Sequence, residues 1–232
     1  GLSARSAQDS NWFLTGEGET DPQGQSGQAP DFNPGSPQYA WLEAQLAEGQ
    51  RRAAFIFVQF HHAPYSVGPH GLPPGYSKAE DTQSGVPVRV LTPLFKRYGV
   101  AAVFAGHDEM YEHSVVDGIH FYDVGIAGDG LRGPESGPDG ARGLPSSNPH
   151  QVFLAHTSAP EVWQGARLVS GGKHYGHLEV NLSCDATGTW TATLDPVYCF
   201  PLMDATGAVT GWERRLYDDR VTLTAKRPTE AF

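Results

Sequence analysis

Histidines follow two apolar runs of the chain, and this placement is the first sign of chemistry. The run AAFIFVQF, residues 53–60, ends at His61 and His62, and the run VAAVFAG, residues 100–106, ends at His107. Because ligands gather outside the carboxyl ends of strands in open α/β sheets, we expect these side chains to converge. Neutral imidazole is a common ligand of zinc, iron and manganese, so the pattern suggests a metal site.

A histidine that follows a strand can also be an ordinary hydrogen-bonded loop residue. We give that interpretation to His120, His150, His156 and His174, which no comparable pattern supports. At the two strand ends both interpretations stay open, although Gly106 permits a close approach of the backbone there.

The apolar runs need a covered sheet to hold them, because a strand that is apolar on both faces is typical of a central position. Ser36 before Pro37 predicts the start of an amphipathic helix that runs to about residue 48. A second helix is predicted over residues 86–98, kinked or shortened by Pro93. Two strand-then-loop units joined by a helix indicate an α/β layered fold.

The rest of the sequence has a different residue pattern, with short alternating segments and long stretches rich in small and polar residues. Short alternating segments are separated by glycine-bearing turns, including the motif DATG at both Asp185 and Asp204, and they predict antiparallel strands. Other stretches are rich in Gly, Pro, Ser and Asp and predict long loops. We expect one domain over residues 1–232, made of a loop at 1–37, strands with candidate ligands at 38–127, a long loop at 128–170 and antiparallel strands at 171–232.

Charge and composition argue against two classes of protein. The formal net charge is -10 with 16 Lys and Arg, so we expect no groove for the backbone of long nucleic acids. No apolar run is long enough to predict a membrane segment, and the first residues lack the pattern of a signal peptide. Cys184 and Cys199 can form one disulfide of an exported protein or remain two buried thiols, and both alternatives stay open.

Three segments, taken in order, resemble one enzyme family. SPQYAWLEAQLAE, QFHHAPYS and FAGHDEMYEHS, between Ser36 and Ser114, are similar to the calcineurin-like metallophosphoesterases, and most of all to the purple-acid-phosphatase branch. The resemblance implies a layered β-sandwich flanked by helices, with two divalent or mixed-valence metal ions (Fe, Zn or Mn) at the strand ends. It also implies hydrolysis of a small phosphoester and export to a periplasmic or extracellular location.

The same resemblance implies roles for four residues. His61 and His107 match histidines that ligate one metal, and His70 matches the histidine that protonates the leaving alkoxide or holds the phosphate. Glu109 stands where the family has the histidine that ligates the second metal. A carboxylate also binds these metals, so Glu109 is expected to remain a ligand and to favour harder ions. The alternative is a degraded second metal position.

The upstream ligand motifs of the family, D-x-H, G-D-x-x-D and G-N-H, do not occur ahead of the first predicted helix. We therefore expect the chain to be the carboxyl-terminal part of a longer metallophosphoesterase domain and to contribute only some of the ligands. The alternative function is a non-catalytic binding module that keeps the sandwich and has lost the metal centre.

Overall fold

The computed structural model describes residues 32–73, 84–128 and 130–228, so the predicted loop at 1–37 lies mostly outside the described residues. The elements are α1 (Pro37–Arg52), β1 (Ile56–Gln59), a 3-10 helix (Val86–Leu91), α2 (Thr92–Arg97), β2 (Val100–Ala105), β3 (Tyr111–Val116), β4 (Ile119–Val124), β5 (Gln151–Leu154), α3 (Ala155–Ser158), β6 (Val162–Gln164), β7 (Arg167–Ser170), β8 (Gly176–Cys184), β9 (Thr189–Met203), β10 (Val209–Leu216) and β11 (Val221–Lys226).

Helix α1 begins where the sequence predicts. The Ser36 hydroxyl accepts a hydrogen bond from the Tyr39 amide at 3.1 Å, which satisfies one of the backbone donors that a first helical turn leaves unpaired. Leu42 and Leu46 are buried on the inner face of the helix. The predicted amphipathic helix is confirmed, and it extends to Arg52.

Strands β1 to β5 form a mixed sheet in the order β1-β2-β4-β3-β5. Strand β1 runs parallel to β2, and β2 runs parallel to β4, so their carboxyl ends meet at one edge. The 3-10 helix and α2 connect β1 to β2 and occupy the region of the second predicted helix. Pro93 lies in the first turn of α2, where a missing backbone N–H costs nothing, and the helical segment is divided just before it.

The five-stranded sheet is covered on both faces, as its apolar strands predict. One cluster of buried side chains joins the sheet to α1, the 3-10 helix and α2, and it includes Leu46, Leu91 and Phe95. A second cluster takes side chains from this sheet and from the carboxyl-terminal sheet, among them Tyr122 and Leu194. Both faces of the sheet are therefore removed from water, which favours the apolar sequence of β1 and β2.

Strands β8 to β11 form the predicted antiparallel sheet, in which β9 pairs with the three others. Its two hairpins turn at the DATG motifs. In each turn the aspartate carboxylate accepts a hydrogen bond from the amide two residues on, at 2.8 Å for Asp185 and for Asp204.

Two sequence interpretations need correction. The segment 128–170 is not one loop, because β5, α3, β6 and β7 lie within it, and β5 completes the first sheet beside β3. Cys184 and Cys199 are exposed free thiols, neither bonded to each other nor buried. Cys184 faces Trp190 on β9, so the two cysteines are separated by about 30 Å of extended chain.

His120 and His174, which we predicted to be ordinary hydrogen-bonded residues, both make hydrogen bonds within the fold. The His120 Nδ1 lies 2.9 Å from the His113 Nε2, and the His113 ring also contacts the carboxylate of Asp219 at 3.0 Å. The His174 ring donates to the Gly171 carbonyl at 2.7 Å. Asp219 lies in the turn between β10 and β11, so its contact with His113 ties the carboxyl-terminal sheet to β3.

The predicted α/β class is confirmed as a mixed α/β fold with few helices. Within the described residues, no helix is long and apolar enough to cross a membrane.

Truncation of the most deeply buried ring should show how much the helix layer contributes to stability. Phe95 is 0% exposed and stacks near Phe60, so we expect Phe95→Ala to lower the free energy of unfolding by about 3–5 kcal/mol. Urea denaturation measures this change. Trp212→Ala is the control, because Trp212 is 67% exposed and its loss should cost less than about 0.5 kcal/mol. Similar losses in both variants would contradict this assignment of the core.

Candidate functional site

Four histidines lie together at the carboxyl ends of β1 and β2. The Nε2 of His61 is 2.8 Å from the Nδ1 of His107. The ring of His107 also lies 4.5 Å from the ring of His62 and 4.3 Å from the ring of His70, measured between centroids. The structure thus brings His61, His62 and His107 together, as the two strand ends predict, and it places the ring of His70 beside them.

The backbone holds the two strand ends at this spacing. The carbonyl of His61 accepts hydrogen bonds from the amides of Gly106 and His107, at 3.0 and 3.1 Å. Behind this contact, Gly125 after β4 packs against Gly106, and a Cβ on Gly125 would come within 2.1 Å of the Gly106 oxygen. A side chain at residue 125 would push the strand end away, so glycine is required there.

Buried carboxylates place the loop that carries His70. Asp108 is fully buried and accepts a hydrogen bond from the His70 amide at 2.9 Å. Asp123, at the end of β4, accepts in turn from the amides of Asp108 and Gly125, at 3.1 and 3.0 Å. The two aspartates therefore connect the His70 loop, the turn after β2 and the end of β4.

Glu112 on β3 is a third buried carboxylate with the same role. It accepts hydrogen bonds from the Val67 amide at 3.0 Å and from the side-chain amides of Asn148 and Gln151, both at 2.7 Å. Burial raises the pKa of Glu112 to about 7, while the three donors favour its ionised form. This carboxylate joins the loop ahead of His70 to the segment that leads into β5.

The site favours neutral imidazole at its centre. Burial first, and then the charges that His62, His70, His61 and Arg132 would carry beside it, lower the pKa of His107 to about 2. Burial also raises the pKa of Asp108, and burial with the nearby Asp108 raises that of Asp123 well above its usual range. His107 is therefore uncharged at neutral pH, which is the form that ligates metals.

These residues fit the imidazole part of one metal site. The Nε2 of His107 is buried and has no hydrogen-bond partner among the described residues, so its lone pair or proton is unmatched. Among the described residues, including this site, no group of three or more His, Cys, Asp or Glu side chains has an arrangement that could hold a metal ion.

Glu109 turns toward Arg132. Its carboxylate accepts from the Arg132 Nε at 2.6 Å, and its carbonyl accepts from the Arg132 amide at 3.2 Å. Glu109 adopts a φ of 54°, a left-handed conformation that is strained for a residue with a side chain. Ligation of a second metal by Glu109 stays a prediction, and it requires the carboxylate to leave Arg132.

The sequence analysis missed four residues of this site: Asp108, Glu112, Asp123 and Arg132. The three acidic residues had a signal, because a carboxylate next to or within a covered strand must find hydrogen bonds to be stable there. Arg132 had none, since it lies in a glycine-rich stretch of no periodicity.

A cavity of about 360 Å³ opens beside His61. Its wall also includes Gly106, with Phe60, Phe104 and Val124 as apolar neighbours.

Comparison with known proteins gives distant structural likenesses. No family model matches the chain, and no curated protein matches its sequence. One similar solved structure is GAP50, the anchor in the inner membrane complex of Plasmodium, with 18% identity and a TM-score of 0.42, over 78% of this chain and 42% of that one. Another is the purple acid phosphatase PPD1 from seeds of yellow lupin (Lupinus luteus), with 16% identity and a TM-score of 0.40, over 84% and 29%. The chain spans less than half the length of either protein, and at these TM-scores neither likeness carries an argument about function.

His156 lies against the segment that follows Arg132. Both of its ring nitrogens are buried, and Nε2 faces Gly133. Burial first, and then the positive charge of Lys173, lower the pKa of His156 to about 4.

This histidine should make the fold sensitive to acid. Between the ordinary pKa of 6.5 and the folded value of about 4, the unfolded chain binds a proton at His156 that the folded chain does not. The free energy of unfolding should therefore fall as pH drops through that window. We expect His156→Gln to reduce the change of the free energy of unfolding with pH, measured by urea denaturation at about pH 7.5, 6 and 5. His177→Gln, on an exposed histidine of β8, is the control, and an equal slope in His156→Gln and the parent chain would count against this origin.

Replacing Glu112 by glutamine keeps the shape of the side chain but removes one of its two acceptor oxygens, so the variant tests whether the hydrogen bonds accepted by Glu112 stabilise the fold. In Glu112→Gln one acceptor oxygen becomes an amide N–H₂ that faces a donor, so we expect a loss of about 1–3 kcal/mol in the free energy of unfolding at pH 7. Glu213→Gln removes an exposed carboxylate that pairs with Arg215, and it should cost less than about 0.5 kcal/mol. Equal stability of Glu112→Gln and the parent chain would mean that the buried carboxyl is already protonated and donates a bond.

Proposed function

We propose that the chain provides the histidine side of a metal centre that hydrolyses a small phosphoester. The observation that carries the proposal is the convergence of His61, His62, His70 and His107 at the carboxyl ends of two parallel strands. Segments that are far apart in sequence place these rings within contact of each other. Neutral imidazole with an unmatched buried nitrogen favours a ligand role over a purely structural one.

In this proposal His61 and His107 hold one metal, which is iron, zinc or manganese according to the donor set. When bound, the metal supplies Lewis acidity toward a phosphate oxygen and toward water. Asp108 and the His61 carbonyl fix the positions of the rings through the backbone bonds described above. They orient ligands without touching the substrate.

His70 is the proposed general acid. Its ring packs beside His107, and its backbone amide donates a hydrogen bond to Asp108, which fixes the loop that carries it. A proton on a ring nitrogen of His70 would pass to the alkoxide oxygen of the leaving group. The alternative role is a hydrogen bond to the phosphate that does not transfer the proton.

The remaining ligands belong, in the same proposal, to a preceding part of a longer metallophosphoesterase domain of the layered β-sandwich type. Glu109 is the proposed ligand of a second metal when that part is present. Export to the periplasm or outside the cell goes with this assignment.

The competing function is a non-catalytic binding module. Two observations favour it: the ion pair between Glu109 and Arg132, and the lack of a three-ligand group within the described residues. In that case the histidines are a remnant that stabilises the strand ends by hydrogen bonds alone.

Metal content separates the two functions. The chain is equilibrated with Mn²⁺, Zn²⁺ or Fe²⁺, dialysed, and analysed by plasma mass spectrometry, with circular dichroism to show that it is folded. We expect about one metal per chain, lost in His61→Ala and in His107→Ala, because each removes one imidazole of a weak site.

The matched control is His177→Ala, which removes an exposed histidine of β8 and should retain the metal. A folded chain that retains no metal, or that retains it equally in all three variants, would favour the binding module. About two metals per chain would show that the chain itself carries a second set of donors.

A further inference from the structure

We propose that Arg132 binds the phosphate group of the substrate and supplies the positive charge beside the histidines. The inference rests on the proposed function, which it deepens by naming the group that recognises the phosphate. It concerns a residue that lies in a glycine-rich segment and follows no sequence motif.

Two bonds to one residue place Arg132 at the site. Its amide donates to the Glu109 carbonyl at 3.2 Å, and its Nε donates to the Glu109 carboxylate at 2.6 Å. Glu109 belongs to the turn after β2 that also carries His107, and its φ is 54°. Arg132 is thus bonded to Glu109, which follows His107 by two positions in the chain.

Arg132 carries the permanent positive charge at this site. A histidine is charged only when it is protonated, whereas a guanidinium stays charged at every pH at which proteins are folded. A phosphate dianion is therefore attracted by Arg132 whatever the protonation of the imidazoles.

The guanidinium has the exposure and the donors for this role. Its side chain is 44% exposed, and among the described residues it bonds only to Glu109, through Nε and one Nη2 contact at 3.5 Å. Part of its planar donor set is therefore directed at solvent. Arginine binds phosphate through two parallel N–H bonds, a geometry that lysine does not reproduce.

Binding of inorganic phosphate tests the inference directly. Titration calorimetry on the full chain, with and without Mn²⁺, compares the parent chain with Arg132→Ala and Arg132→Lys. We expect Arg132→Ala to weaken phosphate binding by about tenfold to a hundredfold, and Arg132→Lys to recover only part of the loss. Urea denaturation of each variant should show a folded protein, because the side chain of Arg132 is 44% exposed.

Arg214→Ala is the matched control. Arg214 also pairs with one glutamate, Glu179, and is 56% exposed, but it lies on β10, away from the histidines. It should leave phosphate affinity unchanged. Equal affinity of the parent chain and Arg132→Ala, or no phosphate binding by the parent chain, would overturn the inference.

The outcome also distinguishes this inference from the proposed function. If His61→Ala loses the metal but Arg132→Ala binds phosphate with parental affinity, the proposed function stands and the role of Arg132 is rejected. Phosphate binding that depends on Arg132 in a chain that takes up no metal would keep the role of Arg132 and reject the hydrolase.

Discussion

The candidate site depends on carboxylates that are buried where only hydrogen bonds make burial tolerable. Asp108, Glu112 and Asp123 are each almost inaccessible to solvent, and each accepts backbone or side-chain N–H groups from another segment. An unpaired buried carboxylate costs several kcal/mol, so the segments that supply the donors are drawn to the ends of β2, β3 and β4. The loop that carries His70 is one of them, and its place beside His107 follows from this constraint.

The same burial leaves the permanent positive charge of Arg132 at the edge of the site. The pKa of His107 is lowered because its ring is partly buried among other imidazoles, whereas the Arg132 side chain is 44% exposed and lies where water reaches it. In the proposed function the imidazole lone pairs bind the metal and the guanidinium binds the phosphate. Metal and phosphate would then be held by different residues, which is why substitutions at His61 and at Arg132 are expected to have different effects.

Several features of the chain are readable from local patterns. Ser36 and the apolar spacing after it specify helix α1, since a cap and one apolar face are properties of a single element. The two apolar runs specify covered strands, and the aspartate turns at residues 185 and 204 specify hairpins. Because parallel strands end at one edge, the meeting of His61 and His107 is also predictable. The prediction of one loop over 128–170 was wrong because its strands are short: β5 pairs with β3, which is distant in sequence, and β6 and β7 pair only with each other.

The amino-acid sequence by itself determined helix α1, the covered strands β1 and β2, the edge of the sheet where the histidines gather and the antiparallel end of the chain. Only the tertiary structure decided which partner each polar side chain takes. Glu109 bonds to Arg132, 23 residues further on. Cys184 on β8 lies opposite Trp190 of β9, whereas Cys199 on β9 lies opposite Arg214 of β10. The physical reason is that helix caps, turns and periodicity act within one element, whereas the partner of a side chain depends on how segments distant in sequence pack together.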